Sequence, residues 1–201
     1  MSASDYINRY IDEAKIESQH AKESWLKNFF KSFSDELSTR SERAAPGDKY
    51  VITSSFSTAL PNLIPNGLLL NKESSVKNYI DMPKEKALCD LLIRKRIDFS
   101  IDGKEKTLLI EFKTNVQFND LAAAMVEMSA IKSFAARKPD KEVRTASLHL
   151  FPYRTNVDGL RLLNVALGNP LDHIWVLCTP ELKYDIDAIK SFRKEVCKIV
   201  G

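Results

Sequence analysis

Two alternating runs set close together constrain what this chain can fold into more than anything else in it. From Thr107 to Lys113, Leu108, Ile110 and Phe112 fall on one face of an extended strand, and Thr107, Leu109, Glu111 and Lys113 on the other. Just upstream, Ile97, Phe99 and Ile101 alternate with Asp98, Ser100 and Asp102. This period-two pattern predicts two strands, and the Asp102-Gly103 step predicts a turn that lays them antiparallel. Glu111 and Lys113 then project from one face, about 7 Å apart. What faces Glu111 depends on the connection. A tight two-residue turn sets Asp98 opposite Thr107, about 13 Å from Glu111, whereas a looser connection from about Asp102 to Thr107 sets Asp98 opposite Glu111.

Helices are expected on both sides of this pair. Pro83 suits the first turn of a helix running to about Ile93, with Ala87, Leu91 and Leu92 toward the core. Asn119 or Asp120 is placed to cap a second helix to about Arg137, whose Ala124, Met125, Met128, Ile131 and Phe134 share an apolar face. Two carboxylates and a lysine gathered at one point suit a hard cation. Magnesium takes oxygen ligands and keeps several waters that a phosphate can displace. Such a cation polarises a phosphoryl oxygen and acidifies bound water.

Asp98, then Glu111-Phe112-Lys113 in an apolar strand, then a helix, resembles the PD-(D/E)XK nuclease superfamily, with Ile97 where that motif has proline. The likeness covers Glu85 to Lys132 by motif and about Lys84 to Thr179 by the order of elements. It implies Asp98 and Glu111 as metal-binding carboxylates, the backbone carbonyl of Phe112 as a further ligand, and Lys113 beside the nucleophilic water. Glu85 matches an extra acidic residue that many members carry on the leading helix; Asp90, on the same helix, is a rival to Asp98. The resemblance further implies a small type II restriction endonuclease acting on DNA, dependent on Mg2+ with Mn2+ as a substitute, and working as a homodimer. Arg94, Lys95 and Arg96 are candidate phosphate contacts or a solvated helix end, and Gln117 is a candidate substrate contact.

The order of elements predicts an α/β fold, a mixed central sheet flanked by helices with an N-terminal helical segment, and the resemblance implies that this sheet is a restriction-endonuclease-like core. Its 201 residues suit one domain, 1–201, with helices over 1–45 and a catalytic core over 84–179. Ser4 to about Thr39 carries helical spacing with a polar middle, so one helix or two, and Trp25, Phe29, Phe30 and Phe33 are core or a dimer seam. Tyr50 to Phe56 reads as a short strand. Ala59 to Asn78 reads as irregular, its asparagines placed for turns or for adenine edges in a DNA groove. Strands are expected over Ala146–Tyr153 and His173–Thr179, with helices over Val157–Leu167 and Lys190–Ile199.

Composition removes other classes. A formal charge of +3 neither demands nor forbids nucleic acid. Three scattered cysteines and three scattered histidines give no zinc pattern, and with 6 glycines no Walker motif occurs. No secretory signal or membrane-length apolar run is present, which predicts a cytoplasmic protein with no membrane partner. Two other readings stand beside restriction. One is a repair, recombination or anti-phage effector nuclease, whose cleavage follows DNA structure rather than sequence. The other is a non-catalytic nucleic-acid-binding protein or complex subunit whose carboxylates hold no metal.

Overall fold

A computed structural model of the chain describes residues 3–43, 48–114, 118–135, 141–150, 157–179, 181 and 183–200. The two alternating runs form neighbouring antiparallel strands, β2 (Arg96–Asp102) and β3 (Lys106–Lys113). With β1 (Leu69–Ser75), β4 (Glu142–His149) and β5 (His173–Val176) they make one five-stranded sheet in the order β1-β2-β3-β4-β5. The first three strands are antiparallel and the last three parallel. Parallel neighbours need crossovers, and α5 (Phe118–Ala135) and α6 (Val157–Ala166) supply them. The result is the mixed, helix-flanked sheet that the element order predicted.

Each face of the sheet buries its own core. Leu108, Ile110 and Phe112 of β3, with Ala146 and Leu148 of β4, pack under α1 (Ala3–His20), α2 (Ser24–Arg43), α3 (Asp48–Ala59) and α7 (Ile186–Val200). Leu109 turns the other way, toward Leu92 of α4 (Lys86–Arg94), Met125 and Met128 of α5 and Leu160 of α6. The N-terminal pattern resolves into two helices. Phe29, Phe30 and Phe33 are fully buried within the chain, Phe30 lying 4.9 Å from the Tyr184 ring, so they are core and not free to form a dimer seam.

Three local expectations are corrected. Tyr50 to Phe56 is not a strand but part of α3, because Val51, Ile52, Phe56 and Ala59 recur at helical spacing and bury that face. The irregular stretch contains β1, which has little apolar alternation because it is an edge strand held partly by side chains. Asn71 donates to Asp102 at 2.8 Å, and the Ser74 and Ser100 hydroxyls meet at 3.1 Å. Asn71 therefore serves the sheet, and Asn62 donates to the Ala59 carbonyl, rather than reaching for a base. Ala87 is exposed at the start of α4, where Leu92 carries the burial. Among the described residues no helix is long and apolar enough to cross a membrane, and Cys89, Cys178 and Cys197 are free thiols.

Candidate active site

The connection between β2 and β3 is the looser one. Asp102 pairs with Thr107, and the Gly103 N–H donates to the Lys106 carbonyl at 2.9 Å. Continuing that register sets Asp98 level with Glu111. The ladder itself ends one step earlier, at Phe99–Ile110. Beyond it the Asp98 carboxylate enters the gap and accepts the Phe112 N–H at 2.7 Å. Pairing also lapses on the other side of Asp98. Lys72 and Ser74 pair with Phe99 and Ile97, while Glu73 between them takes φ 49°. Left-handed backbone at a non-glycine residue costs about 1 kcal/mol or more and persists only where its surroundings impose it. Face alternation slips at the same point: Phe99 packs toward α3, whereas Ile97 joins the core under α4 and α5.

On the α5 side, the apolar surface gives way to a polar patch at the carboxyl ends of β3 and β4. Glu111 lies beside Ser147, and Lys113 beside His149. Ligands in open α/β sheets favour this end of the strands. Glu111 is buried, with Lys113 Nζ 3.4 Å from Oε2 and Lys95 Nζ 2.7 Å from Oε1. Lys95 Nζ also lies 2.6 Å from Glu127 Oε2, on α5. His149 is buried, with Nε2 bonded to the Ser147 hydroxyl at 2.9 Å and no hydrogen-bond partner at Nδ1.

The electrostatics follow from this crowding. Burial, then the neighbouring Glu111 charge, pushes the Asp98 carboxyl up to about 7. Burial opposes ionisation of Glu111 too, but Lys113 and Lys95 outweigh it and hold that carboxyl below its ordinary value. The pair therefore keeps a proton near neutrality on Asp98 and a charge on Glu111. Burial, reinforced by Lys113, drops His149 to about 4, so its ring is neutral at pH 7.

The expected site residues separate cleanly in space. Asp98, Glu111, Lys113 and the Phe112 backbone come together; the Phe112 ring stacks on Phe56 at 4.3 Å in the opposite core. Glu85 stands exposed at the N-cap of α4, while the acidic pair adjoins the helix's other end, about 13 Å along its axis. Among the described residues the further carboxylate near Glu111 is Glu127, joined to it through Lys95. Arg94 and Arg96 are exposed, Arg96 donating to the Glu73 carbonyl at 3.3 Å, while Lys95 turns inward. Gln117 lies outside the described residues.

Sequence reading missed Glu127, because a glutamate between Val126 and Met128 looks like ordinary helix surface. It also missed a cleft of about 380 Å³ that opens on Asp98 between α3 and the β1–β2 edge. Arg40, Lys72 and the hydroxyl residues Thr53, Ser54, Ser57 and Thr58 line it. The four hydroxyl residues form one stripe of α3, which a strand's alternation divides between two faces.

Among the described residues, no three His, Cys, Asp or Glu side chains converge as a metal cluster. The pair nevertheless fits a hard cation in donor type, since magnesium is commonly held by one or two carboxylates with waters completing its shell. The Phe112 carbonyl shares a strand edge with the N–H that Asp98 accepts, so it too faces the gap. The chain matches no known protein-family model, no curated protein and no solved structure.

Proposed function

We propose that the protein is a divalent-cation-dependent endonuclease that hydrolyses DNA phosphodiester bonds, of the restriction type, its mixed sheet serving as a restriction-endonuclease-like core. The observation that carries this reading is Asp98 level with Glu111 at an interruption of the sheet, with Lys113 beside Glu111. An interruption that strands two carboxylates together has no use for stability alone, because burial beside Glu111 opposes the ionisation that Asp98 has in the unfolded chain.

Asp98, Glu111 and the Phe112 carbonyl would hold Mg2+, or Mn2+ in its place. Bound there, the cation supplies Lewis-acid polarisation of a phosphoryl oxygen and of the attacking water. Lys113 keeps a partly exposed ammonium next to Glu111, placed to orient that water and offset the phosphate charge. Neutral His149 adds no second positive charge beside it. Arg40, Lys72 and the hydroxyls of Thr53, Ser54 and Ser57 give the cleft donors for backbone phosphates on the approach to Asp98, while the Thr58 hydroxyl donates to the Ser54 carbonyl. Two copies, one per strand, would cut a duplex.

The test is incubation of the purified protein with plasmid and genomic DNA, with and without Mg2+, followed by sequencing of the ends. Cleavage only with Mg2+, at a repeated sequence, is the expected result. Ends set by DNA structure would move the protein to a repair or defence nuclease. Binding without cleavage under either Mg2+ or Mn2+ would reject the catalytic reading.

A further inference from the structure

Lys95 occupies a position that the reaction outlined above does not use. It is the residue at which α4 hands over to β2, and its backbone is fixed on both sides. Its N–H donates to the Leu92 carbonyl at 3.2 Å, and its carbonyl accepts the Val76 N–H at 3.1 Å. From that anchor the side chain reaches under the sheet and places one ammonium 2.7 Å from Glu111 and 2.6 Å from Glu127. Bridging two carboxylates from different elements at short range is what a divalent ion does in a two-ion phosphodiesterase site. Glu111 Oε1, buried and without a hydrogen bond, meets Lys95 as a charge rather than as an aligned donor.

We propose that Lys95 is a tethered cation standing in the place of a second divalent ion between Glu111 and Glu127, so that the site takes one free ion and not two. This rests on the functional reading above, in which Asp98 and Glu111 would hold the free ion. Charge balance favours it. Once a bound ion releases the Asp98 proton, Asp98, Glu111 and Glu127 set three carboxylates against the two ammonium groups of Lys95 and Lys113. One divalent ion reverses that small negative balance, and a second would enter a site already positive, against an ammonium it cannot displace without breaking two ion pairs. Glu127 keeps about a third of its side chain exposed, which leaves an open approach once the lysine is removed.

Counting bound Mn2+ by electron paramagnetic resonance on the full chain tests this without reference to cleavage. Wild type should bind one ion, Lys95→Ala two, and Lys95→Ala combined with Glu127→Gln one again. Two ions in wild type, or a folded Lys95→Ala that still binds one, overturns the inference and leaves the functional reading standing. No bound ion in wild type rejects the cation site and the inference together. If Lys95→Ala unfolds in metal-free buffer, Mn2+ must restore its helical circular dichroism, because the ion replaces the missing charge. Failure to recover overturns the role given to Lys95.

Discussion

On one face of β3, Leu108, Ile110 and Phe112 are buried against α3 and its neighbours, and Phe112 stacks on Phe56. On the other, Leu109 is followed by Glu111 and Lys113, with Ser147 and His149 abreast. The same backbone thus carries a dry aromatic core on one side and a buried polar patch on the other. The first is worth stability in proportion to area buried. The second crowds two carboxylates, so that Asp98 is pushed up to about 7, and leaves the buried His149 Nδ1 without a hydrogen bond, both of which oppose folding. Chemistry is to be sought at the face whose arrangement costs stability.

Substitutions on the two faces should then differ in kind. Asp98→Asn keeps an oxygen for the Phe112 N–H but removes the charge, so Mg2+-dependent cleavage should fall by about 10³-fold or more, roughly 4 kcal/mol of barrier. The same change should raise the urea midpoint above pH 7, because the crowded carboxylate pair is relieved; a lowered midpoint with cleavage intact would make the patch structural. Phe56→Ala, on the dry face, should cost about 3–5 kcal/mol of stability. If that variant unfolds no more easily than wild type, the aromatic core is not what holds α3 to the sheet.

His149 sharpens the contrast through pH. Its folded value of about 4 lies below the ordinary 6.5, so between those limits the unfolded chain takes up a proton that the folded chain refuses. Stability contributed by the neutral ring is complete above pH 6.5 and drains away as pH falls toward 4, by roughly 3 kcal/mol. Urea midpoints followed across that window should lose this slope in His149→Gln; an unchanged slope would assign it to other groups. The smallest effect is expected at exposed Arg94, where alanine should weaken DNA binding a few-fold and lower the salt slope by about one. An unaltered slope would place Arg94 away from DNA.

Much of this was legible in the residues. The alternation around Glu111 and Lys113 gave β3 and its two faces, and the spacing of Asp98 left two registers, of which the four residues Gly103 to Lys106 select the one that aligns the acids. The slip at Asp98 was not legible: Ile97, Phe99 and Ile101 read as one face, and only tertiary packing sends Ile97 to the opposite core. Nor could spacing show that Lys95, one of three adjacent cations, turns inward while Arg94 and Arg96 stay out. Its partner Glu127 is 32 positions away on another element, so the pairing exists only once the crossover of α5 is made. The α3 stripe is hidden for a simpler reason: Tyr50 to Phe56 is β-branched and serine-containing, and its helical spacing closes only at Ala59.

The most direct test of the account is where a divalent ion sits. Crystals of wild type and Asp98→Asn soaked in Mn2+ and measured at the manganese absorption edge would locate it. An anomalous peak is expected between the carboxylates of Asp98 and Glu111 in wild type, and none there in Asp98→Asn. A peak elsewhere, or none in wild type, would contradict it.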